Sequence, residues 1–185
     1  MPQVLRSDAR DNRDRVLLVA RELFAERGLD VTMREVARRA EVGPATLYRR
    51  FPTKVDLVEA AFADEARLCE TIVDDGCADS DPWRGFCSVI EGLSVLNGRN
   101  QGFMDAFTLA NSEPAGYADR RRAALRALAA LGRRAQAAGA LRRDFTIDDL
   151  VLVLLAGRAL GSLPQAKREA ATRRFAALAI DAFRA

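Results

Sequence analysis

The chain has 185 residues, 49% of them hydrophobic and 30% charged, an ordinary balance for a chain that buries its own core without a metal or disulfide staple. Histidine is absent, which excludes Ser-His-Asp and Cys-His nucleophilic catalysis, imidazole ligation of zinc or haem, and imidazole pH switching. Residues 1–54 hold 12 Lys and Arg against 8 Asp and Glu, whereas residues 55–185 hold 17 against 18, so a basic module suited to a polyanion precedes a near-neutral, apolar remainder.

Helical spacing runs through almost the whole chain, and no segment alternates as a strand does. Val16, Leu17, Ala20, Leu23 and Phe24 form a stripe that ends at Gly28, a natural helix C-terminus. Thr32 and Glu35 stand in capping-box register, followed by Met33, Val36, Ala37 and Ala40 at one-face spacing. This second helix is short, with Arg34, Glu35, Arg38 and Arg39 on its opposite face. After the break Glu41-Val42-Gly43, Pro44 opens a third helix as a first helical residue should. Leu47 and Phe51 share its apolar face, and Pro52 stops it.

Thr53 caps a predicted long fourth helix that carries Leu57, Val58, Ala61, Phe62, Leu68, Cys69 and Ile72. Residues 76–81 read as a loop, and Pro82 opens the next element. Further helices are expected near 82–98, 101–111, 115–138, 146–162 and 166–184, with Gly139 as a cap, Thr146 and Asp149 as a start and Pro164 as a break. The count is about nine, with short connections and no internal repeat.

Three cysteines, Cys69, Cys77 and Cys87, are spaced for neither a zinc site nor a C-x-x-C motif. They read as small buried side chains in a reducing compartment, with a redox sensor as the alternative. The charged first 15 residues lack the apolar stretch of a secretory signal. The longest apolar run is far below the ~20 residues that cross a bilayer. A soluble, cytoplasmic protein is the expectation.

Two short helices joined by a tight turn inside a basic region describe a helix-turn-helix, in which the third helix offers its N-terminal end to the major groove. The runs ARELFAERG over 20–28, VTMREVA over 31–37 and VGPATLYRRF over 42–51, with Lys54 and Leu57, resemble the DNA-binding domain of the tetracycline-repressor (TetR) family of bacterial transcriptional regulators. The resemblance covers about 40 residues, and T-L-Y-x-x-F-x-x-K after a capped short helix is its most specific part.

The resemblance implies that Thr32, Tyr48 and Lys54 grip phosphates and that Met33 and Arg34 lie at the groove edge. It places Pro44, Ala45 and Thr46 at the head of the recognition helix, with Arg49 and Arg50 further along. Arg34 and Arg49 are candidates for guanine, whose O6 and N7 a guanidinium meets together; plain phosphate attraction is equally open. Tyr48 also suits a half-buried ring over the core. Three positions depart from the family pattern: Glu41 replaces the usual turn glycine, Gly43 replaces a capping serine, and Arg50 replaces an aromatic or histidine.

The resemblance further implies a homodimer and a small-effector pocket in the remaining helices. Residues 149–157 are apolar all round for two turns, as is much of the last helix, so each buries more than one face. Leu152, Leu155, Ala159, Phe175, Leu178 and Ala182 are the expected dimer contacts. Trp83, Phe86, Ile90, Phe103, Met104 and Phe107, with Arg158, are the expected pocket lining; ordinary core packing is the alternative for each aromatic.

The expectation is therefore an all-α protein with a helix-turn-helix domain over 1–54 and a ligand-binding and dimerisation domain over 55–185. It is a non-enzymatic regulator without a cofactor or metal: a homodimeric repressor of near-palindromic double-stranded operator DNA, released by a small molecule of unknown identity. The rival is a non-specific DNA-binding or adaptor protein without an effector.

Overall fold

A computed structural model of the chain describes residues 2–99, 102–103 and 116–185, with side chains from residue 12 in the first segment and from 118 in the last. Met104, Phe107 and most of the predicted helix over 101–111 lie outside the described residues. Nine α-helices are seen among those described: α1 (Pro2–Arg27), α2 (Met33–Arg39), α3 (Pro44–Arg50), α4 (Lys54–Ala61), α5 (Ala63–Ala78), α6 (Pro82–Arg99), α7 (Gly116–Ala137), α8 (Ile147–Gly157) and α9 (Gln165–Phe183). Short 3-10 turns follow α1 and α8, over Gly28–Asp30 and Arg158–Ser162. No helix among the described residues is long and apolar enough to cross a membrane.

Local chemistry sets most of the boundaries. Gly28 adopts φ +68 just after α1, and Gly139 φ +72 after α7, a conformation that glycine takes without a Cβ penalty. Thr32 and Glu35 form the reciprocal capping box at α2, and Thr53 and Asp56 form another at α4. Pro44 is the first residue of α3. The Thr146 amide donates to Asp149 Oδ2 at 2.9 Å where α8 begins.

The predicted long fourth helix is two helices. At Phe62 the backbone leaves helical values (φ −113, ψ 22), and its fully buried ring sits 5.9 Å from Phe24 and 6.1 Å from Phe103. The break re-aims the chain and seats that ring in one core shared by α1 and the later helices. Periodicity does not register such a break, because both halves keep helical spacing. The loop expected over 76–81 is shorter as well, since α5 runs to Ala78. Gly76 is there for close approach: a Cβ on it would lie 2.3 Å from Val89 Cγ2 and 2.9 Å from the Gly85 carbonyl oxygen.

The core of the second half is aromatic. Phe86, Phe145 and Phe183 meet edge to face at centroid distances of 5.2 to 6.1 Å, an arrangement that adds quadrupole attraction to burial. Trp83 stacks on Phe86 at 6.0 Å, and the Arg184 guanidinium lies 5.5 Å over the Trp83 ring. Arg134 pins the end of α5 to α7 by donating to the carbonyls of Cys77 and Asp79 at 2.8 and 2.9 Å.

Candidate nucleic-acid interface

The segment from α1 to α4 is a small module with an apolar inside and a cationic outside. Val36, Ala37, Leu47, Phe51 and Leu57 are buried against Ala20, Leu23 and Phe24 of α1. Leu47 is the one buried residue of α3; Pro44, Ala45, Thr46, Tyr48, Arg49 and Arg50 all face outward. Tyr48 is 45% exposed, so its ring is half sheltered and its hydroxyl edge open. Arg34 and Arg38 of α2 are exposed beside them, and these two arginines, like Arg49 and Arg50, form no ion pair among the described residues.

Other cations of the module are committed to partners within it. Arg39 pairs with Glu26 at 3.2 Å, and Arg27 with Glu35 at 2.9 Å. Arg15 Nε donates to the Ala40 carbonyl at 3.0 Å, and Arg21 Nε to that of Ala61, tying α1 to the ends of α2 and α4. These struts have only a weak sequence signal, arginine at the edge of an apolar stripe.

The turn between α2 and α3 is bought with strain: Glu41, in the place of the usual glycine, has φ +53, a region that costs an L-residue about 1–2 kcal/mol. Gly43 offers α3 no side-chain cap, but its carbonyl accepts from Thr46 and Leu47 amides at 2.9 and 3.1 Å. At the head of α2 the Thr32 amide and hydroxyl both donate to Glu35 Oε2, at 2.8 and 2.9 Å. Those bonds, with the Arg27 contact, lower the Glu35 carboxyl to about 2.

The residues expected at DNA are not equivalent. Arg34, Pro44, Ala45, Thr46, Tyr48, Arg49 and Arg50 share the outer surface of α2 and α3. Met33 does not: it is 7% exposed and packs in the core, because the capping box turns the first residue of α2 inward. The Thr32 hydroxyl proton is already donated to Glu35, so this side chain is first a helix cap. Lys54, half-buried, donates from Nζ to the Leu29 carbonyl, which braces α4 against the turn after α1.

The residues expected to line a pocket are placed differently from one another, and Met104 and Phe107 among them lie outside the described residues. Phe86, Ile90 and Phe103 are fully buried and belong to the hydrophobic core cluster of the described residues. Half-buried Trp83 stacks on Phe86. Arg158 opens the 3-10 turn after α8, partly buried. A groove of about 500 Å³ opens among α5, α6 and α9, walled in part by Ile72, Gly92, Val95 and Ala176. The thiols are free: Cys69 is buried, with its thiol pushed up to about 12, and half-buried Cys87 is pushed up to about 11, chiefly by burial. Neither favours the thiolate that redox chemistry needs.

On the other side of the second half, α8 and α9 present apolar surface to solvent. Leu152 is 65% exposed and Leu178 50%. Ala159 and Ala182 are exposed near them, and Leu155 and Phe175 half-buried.

A capped short helix, a tight turn and an outward-facing third helix with unpaired arginines, mounted on a larger helical unit, define a helix-turn-helix DNA-binding regulator. Residues 16–61 match the family model of bacterial regulatory proteins of the tetR family, and residues 81–185 that of the SbtR-like transcriptional regulator C-terminal domain. The chain belongs to the TetR family of transcriptional regulators. A TetR transcriptional regulator of Streptomyces coelicolor is 32% identical, with 93% of this chain and 98% of that one covered and a TM-score of 0.55. A second family member from that organism shares the fold at a TM-score of 0.72 and 20% identity, over 92% of this chain and 91% of that one. HTH-type transcriptional regulators of Staphylococcus aureus are 41% identical over 54 residues, so the match spans 29% of this chain and 29% of theirs.

Proposed function

We propose that the chain is a homodimeric repressor that holds double-stranded, near-palindromic operator DNA with α3 and is released by a small-molecule effector bound in its second domain. In this reading residues 1–54 are the DNA-binding domain and 55–185 the effector and dimerisation domain. The observation that carries it is the pairing of two exposed surfaces of opposite character. Arg34, Arg49 and Arg50 stand unpaired beside the open N-terminal end of α3, which suits phosphates and base edges. Leu152 and Leu178 leave apolar surface that a second copy of α8 and α9 would bury in a four-helix contact. Two copies related by a twofold axis present two recognition helices to one face of the duplex.

Release follows if effector binding moves α4, whose first residue Lys54 is braced on Leu29 and whose last carbonyl, at Ala61, accepts from Arg21 of α1. A shift of α4 then carries the whole α1–α3 module and changes the separation of the two recognition helices. Reciprocity requires DNA to weaken effector binding by the same factor. Hydroxyl-radical footprinting on the duplex upstream of the gene tests the arrangement. Two protected patches on one face, about one helical turn apart, are expected; a single patch, or protection without position, would overturn the dimeric reading.

A further inference from the structure

The groove among α5, α6 and α9 has two chemically distinct halves. Its larger part, about 500 Å³, is floored by Leu68, Ile72, Leu96 and Ala176. It adjoins a smaller part of about 330 Å³ that shares Val95 and Arg99 with it and is walled by Gly98, Gln165, Arg168, Glu169 and Thr172. Glycines keep the helices near enough to form it. A Cβ on Gly92 would lie 2.9 Å from Ile72, and one on Gly98 2.7 Å from Thr172 Oγ1.

Thr172 is the unusual member of this wall. It is 4% exposed, and its hydroxyl, lying against Gly98 between two wall residues, has no hydrogen-bond partner among the described residues; buried hydroxyls are rarely left so. Arg168 is oriented by donating Nε and Nη2 to the Leu163 carbonyl at 3.2 and 3.0 Å. Glu169 is taken up by Arg173 at 2.9 Å. Exposed Arg99 stands at the junction of the two halves. Three arginines (99, 168 and 173) face two carboxylates (Glu91 and Glu169) around the combined groove, so one negative charge balances the wall and a dianion would overshoot it.

The larger half of the groove is also open when the apolar faces of α8 and α9 are covered. At about 100° per residue, Glu169, Arg173 and Ala176 lie on the side of α9 roughly opposite Phe175, Leu178 and Ala182. A second copy seated on Leu152 and Leu178 therefore leaves the larger half free, while Arg168 and Thr172 of the smaller half lie between that side and the covered face.

We propose that this groove binds a small amphipathic monocarboxylate, with its aliphatic part over Leu68, Ile72 and Ala176 and its head held by Arg99 and Arg168 beside the Thr172 hydroxyl. The inference rests on the effector reading only for its regulatory consequence, since binding itself does not depend on DNA. Both halves together fall within the size of ordinary small-ligand sites.

Calorimetric titration of the full chain with octanoate tests it, with acetate, 1-octanol and octyltrimethylammonium as comparison ligands. Saturable octanoate binding at one site per chain is expected, at least about tenfold tighter than 1-octanol, whose head forms no charge-assisted hydrogen bonds. Acetate and the cation should bind far more weakly than either. Arg99→Ala, at an exposed position, should weaken octanoate about tenfold or more and leave 1-octanol unchanged; Thr172→Val should weaken octanoate severalfold. Absence of saturable octanoate binding, equal affinity for 1-octanol, or an Arg99→Ala variant that binds octanoate like the parent would overturn the proposal. DNA affinity with octanoate saturating separates the two readings: tight groove binding with unchanged DNA affinity upholds the groove and removes its effector role.

Discussion

The two ends of the molecule expose opposite things. The outer surface of α2 and α3 is polar and cationic, over a core supplied by a few residues such as Leu47 and Phe51. The outer surface of α8 and α9 carries an apolar patch, with Leu152 and Leu178 open to solvent. A charged face stays hydrated and waits for a polyanion, whereas an apolar face of this kind asks for permanent cover. The first surface suits a reversible partner and the second a constitutive one.

Breaking the core beneath the second surface should have the largest effect. Phe86→Ala removes a fully buried ring held by Phe145 and Phe183 and should cost about 3–5 kcal/mol in chemical denaturation. Next comes the apolar face itself. The Leu152→Arg, Leu178→Arg double variant should sediment as a monomer and bind operator DNA about a hundredfold more weakly through loss of bivalency, while keeping its helical content.

On the charged side the expected effects are smaller and differ in kind. Arg34→Ala should cost about 1–3 kcal/mol at one base pair. Lys54→Ala should weaken all duplexes alike and lower the salt slope by about one unit if Lys54 meets a phosphate. If its only work is the strut to Leu29, thermal stability falls and the salt slope stays. Glu41→Gly should stabilise the module by about 1 kcal/mol by relieving φ +53, and should tighten DNA binding by removing a carboxylate near phosphates.

The smallest effect concerns pH. The Glu35 carboxyl, held at about 2 against an ordinary 4.5, contributes stability that is complete above about 4.5 and is lost as pH falls toward 2. Thermal melts over that range should show a shallower acid loss for Glu35→Gln than for the parent.

The same contrast explains what could be read from the chain alone. Thr32 with Glu35, Pro44, Gly28 and Gly139 act through neighbours a few residues away, so their helix starts and stops are written locally, and the helix-turn-helix stands out with them. Glu41 was legible in the same way, as a non-glycine residue at a glycine position, and its positive φ is the outcome. Phe62 and Phe86 answer instead to residues far along the chain. An aromatic stripe looks the same whatever it packs against, and the contacts of Phe86 with Phe145 and Phe183 come from residues distant in sequence. The groove around Thr172 was hidden for that reason too, since its walls come from three helices.

The claim that α3 reads sequence is tested most directly by anisotropy titrations of the purified protein against two duplexes of equal length at one salt concentration, one from upstream of its own gene and one scrambled. The account predicts affinities that differ by about a thousandfold or more, with most of the difference lost when Thr46 and Arg49 are both replaced by alanine. Equal affinities for the two duplexes would contradict it.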